Sequence, residues 1–227
     1  MTAAASIAPA AAGPPLVRHI VAALEASERR AEPYRHWLLE QVLPEPTAAD
    51  ILGLPFAAPA IGDTLGRRET NNDSRIFFSP GNRARLPVIG ALADAFQGPA
   101  VVGALGHLCG IDLGGTSLRI EYCQDREGFW LEPHTDIRVK KITLLVYLSR
   151  HPEAEGWGTD IYDGELRRVG RASGAFNRGL IFVPAADTWH GFERRPIPGV
   201  RRSLIVNYVG PEWRARDELA FPETPVA

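Results

Sequence analysis

The spacing of apolar positions changes near residue 117. Before it the spacing is helical. In residues 16–31, Leu16, Ile20, Val21 and Leu24 share one face with charges opposite, and Pro33 closes the segment. A second helix-prone stretch follows, with a break at Pro44-Glu45-Pro46 and with Ile51, Leu52 and Leu54 beyond it. Residues 57–82 are loop-like, with turn material at Gly62, at Asn71-Asn72-Asp73 and at Ser79-Pro80-Gly81-Asn82. Residues 88–96 and 101–108 predict two more helices, weakened by glycines. After residue 117 the period shortens. Residues 118–122, 141–148, 159–162, 179–183 and 202–209 predict short strands, separated by turn signals at 125–128, 152–158, 163–164, 173–174 and 196–199. The predicted class is α+β: a mainly helical segment, 16–116, supporting an antiparallel sandwich or barrel at 117–210 within one domain, 16–227. Residues 1–15, rich in Ala and Pro, are expected to be a disordered leader.

Composition removes several alternatives. The formal net charge is −2, so no overall basic field points to nucleic acid or to an anionic membrane. Arginine pairs recur, but acidic residues lie among them, which reads as solvated surface. The two cysteines, Cys109 and Cys123, suggest neither a disulfide framework nor a zinc knuckle. No apolar run reaches the roughly 18 residues of a membrane span. Residues 1–15 lack the positive charge of a secretory signal, so a cytoplasmic protein acting on a small molecule is expected. Oligomeric state is not written in the sequence, and a homodimer stays open.

Candidate chemistry lies in the β half. His134 and Asp136 are two residues apart in an His-Thr-Asp tripeptide, and in an extended segment such positions project from one face. His190, 56 residues after His134, follows the predicted strand 179–183 and its loop, and an antiparallel fold can bring it back beside the first pair. Two histidines and one carboxylate on one face of an octahedron form the facial triad of non-haem iron(II) oxygenases. His19, His36, His107 and His151 have no such partners and read as structural.

Eleven residues beyond His190 comes Arg201-Arg202-Ser203-Leu204 on the next predicted strand. The order His-x-Asp, distal His, Gly-x-Arg-x-Ser-Leu resembles the iron(II)/2-oxoglutarate dioxygenase superfamily, and within it the prolyl-hydroxylase-like branch. The resemblance covers about residues 118–209. It implies a double-stranded β-helix, or jelly-roll, core and implies Fe(II), 2-oxoglutarate and O2 as cofactor and cosubstrates. It further implies that Arg201 anchors the distal carboxylate of 2-oxoglutarate, a pairing a guanidinium fork makes in two hydrogen bonds. Ser203 would add a donor on the same face, while Arg202 points away. A strand bulge would exchange the two arginines. Tyr122 and Tyr147 match positions where relatives place tyrosines near the iron and cosubstrate, and Thr143 and Leu145 share the face of Tyr147. Core aromatics are the alternative for both tyrosines. The Gly-Gly-x-Leu stretch common in relatives is replaced by residues 155–162, where only Gly158 is kept. Trp157 there either shapes the substrate mouth or plugs the barrel. Asp136, present where halogenating relatives lack a carboxylate, favours hydroxylation.

Substrate contacts are least legible. Asn71, Asn72 and Arg75 lie in a polar loop able to cover a site, and Trp189 adjoins a proposed ligand. An Arg-lined mouth suits a small polar or amino-acid-like substrate. A peptide side chain is the alternative, and a cupin-like metal-binding barrel without oxygenase activity is a third reading.

Overall fold

The computed structural model describes residues 13–60, 62–68 and 74–227. The leader at 1–12 and the loop residues Asn71 and Asn72 lie outside them. Five α-helices are described: α1 (Pro15–Glu25), α2 (Glu45–Leu52), α3 (Pro80–Arg85), α4 (Pro87–Gln97) and α5 (Pro99–Cys109). Each has proline in its first turn, where a missing N–H costs nothing. Ser79 caps α3 by accepting from the Asn82 amide, and Gly110 ends α5 in the left-handed region at φ 69°. No single helix among the described residues is long and apolar enough to cross a membrane.

Eleven described strands form two antiparallel sheets. They are β1 (Glu28–Arg30), β2 (His36–Leu39), β3 (Arg75–Phe77), β4 (Ser117–Asp125), β5 (Leu131–His134), β6 (Lys140–Tyr147), β7 (Asp160–Tyr162), β8 (Arg168–Arg171), β9 (Arg178–Phe182), β10 (His190–Phe192) and β11 (Arg201–Val209). The larger sheet has the order β1-β2-β9-β6-β11-β4-β3, the smaller β5-β10-β7-β8.

All five described α-helices lie in the N-terminal part, as expected, but the expectation is corrected at three short segments. Three of its segments are strands of the larger sheet, and β2 occupies the stretch that was expected to be helical. β2 is four residues long and buried on both faces, so it shows no alternation. Its pairing with β9 decides its form. The loop expected at 57–82 likewise contains β3 and the start of α3.

Alternation along the central strands sorts side chains into two environments. Leu118, Ile120 and Tyr122 of β4, Ile142, Leu144 and Val146 of β6, and Leu204, Val206 and Tyr208 of β11 join one apolar core with α1, α2, α4 and α5. The opposite face of the same strands carries Arg119, Glu121, Cys123 and Asp125, then Thr143, Leu145 and Tyr147, then Arg201, Ser203, Ile205 and Asn207. Most of these are buried. That inner face meets Ile161 of the smaller sheet and Ala172 just beyond β8.

Buried charge on the inner face is paired. Arg119 Nη1 donates to Glu121 at 3.0 Å and its Nε to Glu218 at 2.6 Å, while Arg75 Nε donates to Glu121 at 2.5 Å. Burial would raise the Glu121 pKa, but Arg119 and Arg75 override it and hold the carboxyl down at about 2. Stability from this group is complete above its ordinary 4.5 and is lost as pH falls towards about 2. Glu121→Gln, which removes the carboxylate that Arg119 and Arg75 share and leaves Arg119 with Glu218, is expected to cost about 1–3 kcal/mol at neutral pH in urea unfolding and to flatten the acid limb. An unchanged urea midpoint would show that the pair contributes nothing.

Candidate functional site

β5 and β10 pair antiparallel with His190 directly opposite His134. A Cβ on Gly191 would press on the Leu131 and Glu132 carbonyls at 3.0 Å, so glycine there lets the two strands close. The imidazole centroids stand 4.4 Å apart. Nδ1 of His134 lies 2.8 Å from the Glu132 carbonyl and Nδ1 of His190 lies 2.9 Å from the Thr188 carbonyl. A carbonyl only accepts, so each Nδ1 carries the proton and each Nε2 keeps its lone pair when the ring is neutral. Burial, with His134 beside it, lowers the His190 pKa to about 4 and keeps that ring neutral.

Asp136 follows β5 and is buried in the same cavity wall. Its Oδ1 accepts from Lys140 Nζ at 2.5 Å and its Oδ2 from the Thr143 hydroxyl at 2.6 Å. Thr143 in turn accepts from Asn207 Nδ2 at 2.9 Å. Burial would raise the Asp136 pKa, but Lys140, His190 and these hydrogen bonds hold it well below the usual carboxylate range. Two imidazoles with Nδ1 tied to carbonyls and one ionised carboxylate are a donor set that fits a divalent metal. Among the described residues, no three His, Cys, Asp or Glu side chains stand already gathered as a metal cluster. The histidines are paired, while the aspartate is engaged by Lys140 and Thr143.

A cavity of about 440 Å³ includes His134, Asp136, His190, Thr143, Leu145 and Arg201 in its wall. Arg201 lies at its buried end. Its Nη1 donates to Asp125 Oδ2 at 2.6 Å and its Nε to the Trp157 carbonyl at 2.7 Å. Arg68 donates to both oxygens of the same aspartate, at 3.1 and 3.4 Å. Asp125 thus sits between two guanidinium groups. The fork expected to face a carboxylate ligand has two of its nitrogens committed within the protein. β11 runs in unbroken register against β4 from Arg201 to Val209, so no bulge exchanges Arg201 with Arg202. Ser203 is fully buried on the Arg201 face, and its hydroxyl has no hydrogen-bond partner among the described residues.

Tyr147 shares that face, donates to Thr159 Oγ1 at 2.8 Å and accepts from the Thr159 amide at 3.1 Å. Tyr122 does not. It belongs to the helix-side core, because its position on β4 falls on the outward alternation. Trp157 is the plug and not a mouth residue: its ring is buried with Phe129, Phe192 and Ile197 and stacks on His151 at 5.0 Å. Gly158 is required beside it, since a Cβ there would overlap the Ala172 carbonyl. Trp189 is half-buried and outside the cavity lining. Arg75 does line the cavity, paired with Glu121. The sequence reading missed Lys140, Arg68 and Asp125. Asp125 shares the inward alternation of β4, which was a usable signal, whereas nothing local marks Lys140 or Arg68.

No family model matches the sequence, and no curated protein matches it. Solved structures do. The chain is similar to a prolyl 4-hydroxylase from Phytophthora capsici, with TM-score 0.55, 14% identity, and coverage of 78% of this chain and 59% of that one. It is similar to a prolyl-4-hydroxylase from Pseudomonas putida, with TM-score 0.52 and 14% identity over 86% of this chain and 95% of that one. A prolyl hydroxylase from Trichoplax adhaerens, solved with a hypoxia inducible factor peptide fragment, gives TM-score 0.53 and 15% identity over 85% and 88%. The chain therefore spans less than two thirds of the Phytophthora protein and most of the other two. At these identities the likeness is one of fold.

Asp125→Asn would leave Arg68 and Arg201 facing each other without a counter-charge. A loss of about 3–5 kcal/mol is expected in urea unfolding. An unaltered transition would show that the two arginines do not depend on Asp125.

Proposed function

We propose that the chain is a non-haem iron(II), 2-oxoglutarate-dependent oxygenase on a jelly-roll core, with residues 16–227 acting as one domain. The observation that carries it is the pair of facing imidazoles, His134 and His190, each fixed by a carbonyl at Nδ1, in one cavity with Asp136 and with Arg201 at its buried end. The order of these residues in the chain and the prolyl hydroxylase fold support the same reading.

In this assignment His134, His190 and Asp136 hold the metal. When bound, iron(II) with O2 and 2-oxoglutarate supplies the oxidising power for an unactivated C–H bond, with succinate and CO2 as coproducts. The protein's part is binding, orientation and exclusion of water. Thr143, itself held by Asn207, fixes one carboxylate oxygen of Asp136 and so orients the other. Arg201, pre-oriented by Asp125 and the Trp157 carbonyl, offers positive charge to the distal carboxylate of 2-oxoglutarate, and the Ser203 hydroxyl is the nearby donor. Tyr147 holds Thr159, a cavity residue, in place. Leu145 and Ile205 supply apolar wall.

The substrate assigned here is a small polar or amino-acid-like molecule, because the wall is rich in Arg and Lys side chains. A peptide side chain is the second reading, favoured by the peptide bound to the Trichoplax neighbour.

Fe(II) and 2-oxoglutarate added without oxygen should give a weak visible charge-transfer absorption, and 2-oxoglutarate should be converted to succinate in air. His190→Ala should abolish both. Arg201→Ala should raise the 2-oxoglutarate requirement by at least about tenfold, with Arg201→Lys recovering part of it. Metal binding without that absorption would favour the cupin-like alternative.

A further inference from the structure

Lys140 is the first residue of β6 and its side chain is mostly buried beside the Asp136 carboxylate. Its ammonium sits 2.5 Å from Asp136 Oδ1, while Thr143 occupies Oδ2 at 2.6 Å. Both oxygens of the only carboxylate in the proposed ligand set are thus engaged, one by a neutral hydroxyl and one by a full positive charge. The two contacts are not equivalent. A hydroxyl can stay on one oxygen while a metal takes the other, and it then orients the ligand. An ammonium in contact with the oxygen a metal requires competes with it, because two cations crowded on one carboxylate oxygen repel each other.

The stem of Lys140 permits exchange. It has four flexible methylenes at a strand end, and it lines the cavity instead of being packed within the core. The carboxylate of Glu121 lines the same cavity and lies within electrostatic reach of Lys140. A displaced ammonium is therefore not stranded.

Resting on the metal assignment above, we propose that Lys140 is an internal counter-cation that a divalent metal must displace from Asp136, and that it sets the metal affinity of the site. Thr143 is then the partner that stays and Lys140 the partner that leaves. The sequence supports no such role by motif, since Lys140 lies four residues past Asp136 in a segment without helical form.

The test is Mn(II) binding to the whole protein, followed by the loss of free Mn(II) signal in electron paramagnetic resonance, with no turnover required. Lys140→Met should lower the Mn(II) dissociation constant by about tenfold, the scale of one hydrogen bond to a charged group. Lys140→Arg, which keeps the charge, should stay near wild type. Lys140→Gln repeats the measurement if the methionine variant does not fold, as judged by its metal-free thermal transition. Weaker or unchanged Mn(II) binding in the folded neutral variants would overturn the proposal and make Lys140 a support for Asp136. His190→Ala separates the two levels: if it binds Mn(II) as wild type does, or if wild type binds none, the metal assignment itself fails.

Discussion

A buried polar face must be paired, and the inner surface of the seven-stranded sheet is organised by that requirement. Strands β4, β6 and β11 give every second residue to the helices and the alternate ones to the interior. The helix side is mainly apolar and supplies the driving force for folding. The interior side carries Arg119, Glu121, Asp125, Thr143, Arg201 and Asn207, none of which can be buried alone without a penalty of several kcal/mol. Each is held by a neighbour on its own or an adjacent strand or by a segment outside the sheet: Arg119 by Glu121 and Glu218, Arg201 by Asp125 and Trp157, Asn207 by Thr143. Asp136, Lys140 and the two histidines of the smaller sheet line the cavity that this face shares.

The cavity wall brings groups of both signs together. Arg68 and Arg201 line it and share one carboxylate, Asp125, so positive charge is in excess there. In the wall Glu121 is likewise shared by Arg75 and Arg119. At the histidine pair the His190 imidazole is held neutral and Asp136 is held ionised. A small molecule with an anionic end and a metal-binding end matches that arrangement, and 2-oxoglutarate is such a molecule. The aromatic plug of Phe129, Trp157 and Phe192 beneath Arg201 keeps water from screening the guanidinium.

Much of this was legible in the chain because strands declare themselves by alternation. The five predicted strands all exist, and the position of Arg201 and Ser203 on one face, with Arg202 on the other, followed from the period alone. The His-Thr-Asp tripeptide and His190 were singled out only through their order with the Arg201-to-Ser203 run, by resemblance to a known family. What failed had physical causes. β2 is short and buried on both faces, so its sequence carries no period. Tyr122 was placed by likeness to relatives, whereas alternation on its own strand puts it among the helices. Trp157 was ambiguous until Gly158 and the Arg201 contact fixed it as a plug. Arg68 acts through Asp125, 57 residues away, and Lys140 reaches Asp136 across a turn of no regular period, so no local pattern announces either pair.

The central claim is that one cation binds at the point where β5 and β10 bring their histidines together. A crystal grown with Mn(II) and 2-oxoglutarate, measured at the manganese absorption edge, addresses it directly. An anomalous peak bonded to Nε2 of His134 and of His190 and to one oxygen of Asp136, with the distal carboxylate of 2-oxoglutarate on the Arg201 side, is the expected result. A peak elsewhere on the chain, or a fully loaded crystal in which Lys140 alone still holds both the carboxylate and its place beside the histidines, would contradict it.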